Sequence, residues 1–428
     1  MRRVLIVSPH FPPVNAPDAH RVRTALPYLR EHGWEPTVLA VEPRFVERAQ
    51  DPLLLRSVPA DVEVVRVTAW PPRLTRLVGL GSLALRARPA LRAAGDRLLG
   101  ARRFDAVFFS TTEFPVTTLG LRWRGRFGVP FVVDWQDPWL SDYYERTGTP
   151  PPGGRVKYAF AQRLARRGEP AVVRGAARIV VVAKGYVDQL AARYPDWDST
   201  RATVLPFGAP ERDFELLEPA PGAGSAELWL YAGRGGADLH RAARGFFAAV
   251  RADRAAHPAR WQKRRIVFLG TSYAPAPHAV PTLAPLAAGY GLADLVIEDP
   301  ERAPYFSALA LLRSAARLLL LGSDDADYTA SKVYPYLLAR RPLLAVLHER
   351  SDAAEFLRRV GGGTVLTFAD ATPPEVLAQR VLATGWLQAE NAIPPALDAA
   401  VFAGCTARAM TARLAGVLDA AAAVSFPH

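Results

Sequence analysis

Cysteine is nearly absent from this sequence, since Cys405 is the single thiol among 428 residues. A disulfide framework and a cysteine-built metal site both need several cysteines, so both are excluded. Long apolar runs are also missing. Residues 4–7 are too few for the core of a signal peptide, and Arg313 and Arg317 interrupt the best candidate for a membrane span. We therefore expect a soluble or peripheral protein of the cytoplasm.

The composition is that of a globular protein with large cores, because half of the residues are hydrophobic and 22% are charged. The length predicts two domains. Strand-like apolar runs alternate with helix-length segments, which predicts βαβ units and doubly wound parallel sheets. Prolines and glycines between residues 206 and 225 interrupt this cadence, and it then restarts. We predict an amino-terminal domain over residues 1–206, a linker over 207–226, a second domain over 227–405 and a terminal helix over 406–428.

The net charge of +12 is concentrated in two segments. Residues 73–103 hold eight arginines against Asp96, with leucines interleaved, and residues 155–178 hold seven cations against Glu169. Basic amphipathic segments suit an anionic membrane surface. A solvated helix face in an arginine-rich protein is the alternative. No nucleic-acid-binding motif is present, so we expect no nucleic acid partner.

The first strand-to-helix turn, residues 8–21, contains no glycine and cannot be a dinucleotide cradle, which disfavours an NAD enzyme. It offers His10 as a general base or a ligand of sugar hydroxyls, although a lone loop histidine is often neither. Asp134 and Asp137 follow a later strand beside two tryptophans. Carboxylates accept hydrogen bonds from hydroxyl groups and aromatic faces stack on sugars, so this pair fits a carbohydrate. Asp137 before a proline also fits an Asx turn.

A second group of candidates lies in the later half of the chain. Gly233 and Gly235 surround Arg234 in the first turn of the restarted unit, and Arg241 follows; this combination suits a phosphate. Residues 324–336 form an acidic loop between a buried strand and a helix. This loop holds Lys332, one of only four lysines among 53 basic residues, and a compact ammonium suits a phosphate. A helix capped by Thr329 or Ser331, with a solvated lysine, is the alternative.

Several enzyme classes are excluded because their motifs are missing: zincins, serine hydrolases with a nucleophile elbow, and P-loop NTPases. The histidines are too scattered for us to predict a metal site.

Five segments in order resemble the motifs of one family over nearly the full length of the chain. These are the opening strand with the loop at His10, the Asp134–Trp139 segment, Leu205-Pro206-Phe207-Gly208, Tyr231-Ala232-Gly233-Arg234, and Ser331-Lys332-Val333-Tyr334-Pro335-Tyr336-Leu337. The chain is similar to the retaining, nucleotide-sugar-dependent glycosyltransferases of GT-B architecture, the group 1 or family 4-like enzymes.

The resemblance implies an α/β protein with two Rossmann-like, doubly wound domains facing a central cleft. It implies a metal-independent hexosyltransferase-like enzyme that needs no cofactor besides its NDP-sugar donor, with a glycan or lipid-linked acceptor. His10, Asp134 and Asp137 would face the transferred sugar and the acceptor. The donor would contact the remaining candidates: Gly233, Arg234, Gly235, Arg241, Asp327, Ser331, Lys332 and Tyr334.

The sequence departs from the family pattern in three places. Ala16 and Pro17 replace a glycine pair, Phe207 replaces an asparagine, and Pro335 stands where a glutamate usually holds the ribose of the nucleotide. A proline side chain cannot accept hydrogen bonds from the ribose hydroxyls. A catalytically silent protein that binds a sugar nucleotide or scaffolds glycan assembly is therefore the alternative function.

Overall fold

The structure is a computed structural model that describes residues 1–75, 81–141, 144–145, 151, 154–218, 227–272, 278–324, 333–389 and 393–424. Two compact units divide the chain. The first comprises Met1–Gly208 and Ala407–His428, and the second comprises Ala209–Thr406. The predicted linker over 207–226 thus begins beside the boundary between the units, and residues 219–226 lie outside the described residues.

Strands and helices alternate along both units. The strands are β1 (Arg2–Val7), β2 (Trp34–Val41), β3 (Glu63–Val67), β4 (Ala106–Ser110), β5 (Phe131–Trp135), β6 (Arg178–Val181), β7 (Ala202–Val204), β8 (Glu227–Ala232), β9 (Arg264–Leu269), β10 (Val296–Asp299), β11 (Arg317–Leu321), β12 (Leu343–His348) and β13 (Thr364–Phe368). The helices are α1 (His20–Ala25), α2 (Pro72–Thr75), α3 (Leu83–Ala101), α4 (Thr118–Phe127), α5 (Gly154–Gly175), α6 (Lys184–Arg193), α7 (Glu211–Glu215), α8 (His240–Ala256), α9 (Ala284–Ala288), α10 (Tyr305–Ser314), α11 (Val333–Leu338), α12 (Asp352–Val360), α13 (Pro374–Ala383), α14 (Ala399–Ala403) and α15 (Ala407–Ala422).

The described strands of the first unit form one parallel sheet in the order β3-β2-β1-β4-β5-β6-β7. β1 lies inside the sheet and is buried from Val4 to Val7, as expected for a strand covered on both faces. The chain builds the sheet outward from β1 in one direction and then, from β4, in the other. The predicted doubly wound α/β organisation is therefore confirmed.

The last helix, α15, belongs to the core of the first unit. Met410, Leu414 and Leu418 are buried in the apolar cluster on one face of the sheet. Asp419 accepts a hydrogen bond from the Trp34 indole at 3.0 Å and forms an ion pair with Arg2. Helix α15 and the strands of residues 1–208 thus share one core.

The described strands of the second unit form a parallel sheet in the order β10-β9-β8-β11-β12-β13. It repeats the organisation of the first, because the chain moves outward from β8 and then reverses at β11. Apolar clusters cover both faces. The two sheets give two Rossmann-like units, as predicted.

Arginines and tryptophans alternate at the amino ends of the strands of the second unit. The order of this stack is Trp261, Arg264, Trp229, Arg317, Trp386, with each guanidinium carbon 4.9–5.0 Å from the indole centroids beside it. Both arginines are buried. Glu227 accepts from Arg264 Nε at 3.1 Å and Arg317 Nε at 3.4 Å, so one carboxylate neutralises part of this buried charge.

No helix among the described residues has the length and apolar character needed to cross a bilayer.

Candidate functional site

The switch point of the first sheet, between β1 and β4, places three loops together. Strands on either side of such a point lead to opposite faces, so a crevice opens at the carboxyl ends of the strands. The loops after β1, β4 and β5 begin at Ser8, Thr111 and Gln136. This edge of the sheet therefore holds His10 and Asp137 from the predicted set.

His10 is buried and paired with a carboxylate that the sequence did not single out as functional. Its Nδ1 lies 2.9 Å from Oδ2 of Asp18, which sits in a 3-10 turn just before α1. Burial alone would lower the pKa of His10, but the hydrogen bond and the charge of Asp18 outweigh burial and raise it. Burial opposes ionisation of Asp18 as well, yet His10 and hydrogen bonds from Thr112 lower the pKa of this carboxyl. The geometry thus favours an imidazolium–carboxylate pair.

Glu113 completes this cluster from the other side. Its Oε1 lies 3.9 Å from Nε2 of His10, while its Oε2 accepts from the backbone N–H of Ala84 at 2.8 Å. Ala84 lies in the first turn of α3, where free N–H groups attract a carboxylate. A single glutamate after an apolar run belongs to no recognisable motif, so Glu113 could not be predicted as a site residue.

Asp134 and Asp137 have different environments although they are three residues apart. Asp137 lies just past the carboxyl end of β5, and its residue surface is exposed. Neighbouring groups still withdraw its carboxyl group partly from water, and this desolvation, together with the charge of Asp18, raises its pKa. Asp134 is fully buried and accepts from Nε of Arg21 at 2.7 Å and from Ser110 and Gln136. The structure therefore brings His10 and Asp137 to the crevice edge, whereas the position of Asp134 favours a structural role.

Arg21 holds the Leu205–Gly208 segment, in which Phe207 replaces the asparagine of the family pattern. The Arg21 guanidinium donates to the carbonyl of Leu205 at 2.7 Å and stacks on the Phe207 ring at 4.7 Å. It also contacts the sulfur of Met410 in α15 at 3.4 Å. The buried Arg21–Asp134 pair thus fastens the end of the first unit and its terminal helix to the sheet.

The second sheet has its own switch point, between β8 and β11, and the glycine turn lies there. Gly233 and Gly236 have φ values of 153° and 136°, which side chains disfavour. Gly235 donates to the carbonyl of Thr271 at 2.7 Å, and Gly236 donates to the hydroxyl of Thr282 at 3.1 Å. These bonds fix the backbone of the turn against its neighbours.

Glu298 supports this turn from a distance. Its carboxylate accepts from the hydroxyl of Thr271 at 2.6 Å and from backbone N–H groups of Thr282 at 3.0 Å and Leu283 at 2.8 Å. The same two threonines hold the glycine turn. Glu298 is therefore a positioning residue that sequence reasoning missed, because its partners are distant in the sequence.

Both predicted arginines lie at this switch point, each beside a carboxylate. Arg234 forms a two-pronged pair with Asp238, with a contact of 2.9 Å to Oδ1, and Asp238 also accepts from Ser323 at 2.6 Å. Arg241 donates to Asp324 at 3.3 Å. Burial would raise the pKa of Asp238, but Arg234 and Ser323 lower it. The pKa of Asp324 is raised, mainly by burial.

The remaining donor candidates come from residues 324–336. Asp327, Ser331 and Lys332 lie outside the described residues. Tyr334 is in α11, where its ring packs against Phe356 at 5.5 Å. Tyr336, two residues later, is not among the predicted site residues. Its hydroxyl accepts a hydrogen bond from the N–H of Ala232 at 2.7 Å and donates one to the carbonyl of Ala232 at 3.1 Å. This hydroxyl ties α11 to the end of β8.

Known proteins resemble this chain in sequence and in structure. Residues 19–208 match the family model of the glycosyl transferase 4-like domain. No curated protein matches the sequence.

Three of the solved structures that match are similar over nearly the whole chain. The Anabaena protein HepE in complex with UDP and glucose has a TM-score of 0.56 and 16% identity, covering 98% of this chain and 100% of its own. WaaG, a glycosyltransferase involved in lipopolysaccharide biosynthesis, has a TM-score of 0.51 and 15% identity, covering 96% of this chain and 94% of its own. An α,α-trehalose-phosphate synthase (UDP-forming) from Burkholderia vietnamiensis has a TM-score of 0.57 and 13% identity, covering 99% of this chain and 100% of its own. At these identities the similarity to the structures establishes the fold. Together with the family match over residues 19–208, it confirms the predicted resemblance to family 4-like glycosyltransferases of GT-B architecture, whereas retention of configuration stays a prediction.

Proposed function

From the premise that this chain has the GT-B fold and that its residues 19–208 belong to the glycosyl transferase 4-like family, we propose that it is a glycosyltransferase. It moves a sugar from an NDP-sugar to a glycan or lipid-linked acceptor, with retention of configuration and without a metal ion. It works in the cytoplasm, peripheral to the inner membrane face. HepE binds UDP and glucose, and WaaG acts in lipopolysaccharide biosynthesis, which supports this choice of donor and acceptor.

One observation carries the donor part of the proposal: Arg234 and Arg241 lie beside a fixed glycine turn at the switch point of the second sheet. Both guanidinium groups are partly exposed, at 22% and 31% of their side-chain surface, so a ligand can reach them. A diphosphate would displace the carboxylates that neutralise the two arginines, or bind the arginines alongside them. It gathers negative charge as the sugar departs, and fixed cations lower that barrier. Lys332 is proposed as a third cation of this site.

The donor site is tested by titrating the protein with UDP, GDP and ADP in a calorimeter. Arg234→Gln removes a charge-assisted contact, so we expect about 10- to 100-fold weaker binding of the preferred nucleotide. Arg254→Gln is the matched control, because Arg254 lies in the same unit and also pairs with one aspartate, Asp294, at 2.6 Å. Equal binding by the two variants would remove the assigned role of Arg234. Lys332→Ala tests the third cation in the same way.

The acceptor part of the proposal assigns hydroxyl recognition to the crevice of the first unit. Asp137 is exposed there with a raised pKa, and Glu113 and His10 lie at the same edge. Ionisation leaves both carboxylate oxygens of Asp137 free to accept hydrogen bonds from sugar hydroxyls, and the raised pKa moves this change to a higher pH than for an ordinary aspartate. We expect Asp137→Asn to raise the KM for the acceptor more than the KM for the donor, and to flatten the rise of activity with pH. A pH profile unchanged by Asp137→Asn would contradict this role.

The chemical course has separate tests. Nuclear magnetic resonance of the product reports whether the anomeric configuration is retained. Activity that survives a chelator supports transfer without a metal, and its loss, restored by added metal, would overturn that part.

A catalytically silent protein remains the competing hypothesis because of Pro335 in α11. No carboxylate is available at that position for the ribose of a nucleotide. Nucleotide binding without turnover on any donor would favour the silent protein. Turnover with any sugar nucleotide would exclude it.

A further inference from the structure

The amino-terminal half of α5 is unusually rich in exposed cations. Five basic residues are exposed and have no hydrogen bond or ion pair with a described residue: Arg155, Lys157, Arg163, Arg166 and Arg167. Glu145 is the acidic residue described beside them. Positive charge is thus concentrated here without neutralisation among the residues that the structure describes.

The same half-helix exposes apolar side chains along one stripe. Val156 is 86% exposed and Phe160 is 42% exposed. Residues four apart lie on the same side of a helix, and Arg163 and Arg167 continue this line over the next two turns. The outer stripe therefore starts with two apolar groups and ends with two guanidinium groups.

A cavity opens on one flank of this stripe. Its volume is about 420 Å³, and Arg163, Arg166, Arg167, Tyr158 and Gln162 line it together with Glu145. Tyr158 and Gln162 both donate to the carbonyl of Ser141, at 2.9 and 2.5 Å, which fixes the inner wall. Three arginine side chains line this space, and a guanidinium group suits phosphate because it can donate two parallel hydrogen bonds to it.

The carboxyl-terminal half of α5 anchors the exposed half to the sheet. Glu169 is fully buried and accepts from the N–H of Leu140 at 2.7 Å and the hydroxyl of Tyr194 at 2.9 Å. Gly168 lets the Trp139 ring approach so closely that an added Cβ would lie 2.4 Å from it. The exposed half is thus held in a defined position.

The other basic segment differs, because its apolar side chains face inward. In α3, Leu83 and Leu91 lie in the core and Arg86 is buried. Arg92 and Arg97 are exposed cations, but the leucines beside them are not available to a partner. Of the two predicted basic segments, only the one in α5 combines exposed cations with exposed large apolar side chains among the residues that the structure describes.

We propose that residues 155–167 of α5 form the surface through which this protein binds an anionic phospholipid bilayer. The arginines bind lipid phosphates, and Val156 and Phe160 enter the interface between headgroups and acyl chains. A bilayer is favoured over a nucleic acid because a phosphate backbone would leave the apolar stripe in water, whereas a membrane interface takes up both. The inference deepens the proposed function, on which it rests for the expectation of a membrane-bound acceptor, by naming the surface of contact.

The test is sedimentation of the whole protein with vesicles of phosphatidylcholine alone and of phosphatidylcholine with phosphatidylglycerol. We expect binding to the anionic vesicles that weakens as salt is raised. The triple variant Arg163→Gln, Arg166→Gln, Arg167→Gln should lower the partition coefficient about 100-fold, since each cation near an anionic surface contributes about fivefold. Glutamine keeps helix propensity, so the fold should be retained, and thermal unfolding checks it.

The matched control removes the same charge from the first segment: Arg92→Gln, Arg97→Gln, Arg103→Gln. Its partition coefficient should stay within about threefold of wild type, because these residues are outside the contact surface. A second variant, Val156→Ser with Phe160→Ser, should weaken binding while leaving its salt dependence unchanged.

Four results would overturn the proposal. These are no binding of the wild type to anionic vesicles at low salt, equal losses in the two triple variants, no effect of the serine variant, and equally tight binding to a DNA duplex that the α5 triple variant abolishes. Nucleotide titration of the same variants separates this inference from the proposed function. Binding to vesicles without binding of nucleotide would contradict the proposed function alone. Binding of nucleotide without binding to vesicles would contradict the membrane surface alone.

Discussion

Asp134 offers a sharp test of the difference between a structural and a catalytic carboxylate. It and Arg21 are both fully buried and joined at 2.7 Å. Replacing Asp134 by alanine leaves the guanidinium buried without its partner, which costs about 3–5 kcal/mol of unfolding free energy. In a domain of 150–250 residues each kcal/mol shifts Tm by about 2–4 °C, so Asp134→Ala should lower Tm by roughly 6–20 °C.

The assay is scanning calorimetry of Asp134→Ala beside Asp137→Ala. Asp137 is exposed with no hydrogen bond to a described residue, so its loss should change stability by less than about 0.5 kcal/mol. Arg21→Met combined with Asp134→Ala removes both charges and should recover part of the loss. A Tm of Asp134→Ala within 2 °C of wild type, accompanied by loss of transfer, would refute this reasoning and return Asp134 to the catalytic set.

Three further predictions concern stability. Glu227→Gln should cost about 1–3 kcal/mol because it weakens the carboxylate bonds to two buried arginines. Burial alone would raise the pKa of Glu227, but hydrogen bonds from Trp229 and Arg264 outweigh burial and lower it. The stability advantage of the wild type in denaturant melts should therefore be complete above the unfolded pKa, near 4.3, and vanish as pH falls through the folded pKa. Gly168→Ala should lose about 1–3 kcal/mol by overpacking against an indole, whereas Gly185→Ala, whose added Cβ meets nothing within 4 Å, should not lose stability. The raised pKa of His10 predicts stabilisation that is complete below about pH 6.5 and lost as pH rises through the folded value, so the difference between wild type and His10→Gln should shrink at alkaline pH.

These three have their own contradicting outcomes. A constant Glu227→Gln difference down to pH 2 would exclude the ionised carboxylate as its source. Equal melting of the two glycine variants would exclude the steric argument at Gly168. A His10→Gln difference that grows above pH 8 would show that the neutral imidazole is the stabilising form.

The repeating fold was accessible from sequence because its signal is local. Short apolar runs followed by helical periodicity gave the strands of both units to within a few residues. The start of β2 is less clear from sequence, because its uninterrupted strand-like run begins at residue 37 whereas the strand begins at Trp34. Pro36, which lacks an N–H group, obscured this start, and it is tolerated because pairing with β3 begins only at Thr37.

The candidate sites were accessible only in part, because their side chains depend on partners distant in the sequence. Loops after buried strands pointed to His10 and Arg234. Glu113 and Glu298 were missed because each acts on groups that another loop brings near it. Asp134 was interpreted as a sugar ligand because nothing local indicates that Arg21, more than a hundred residues earlier, occupies its carboxylate.

The place of α15 has a consequence for biosynthesis. One wall of the first core comes from Met410, Leu414 and Leu418, which the ribosome makes only after the second unit. The strands made first therefore wait, with apolar surface uncovered, while the whole second unit is synthesised and can fold. Synthesis of α15, rather than completion of residue 208, closes the first core, and a nascent chain halted before residue 407 would engage chaperones through that open wall.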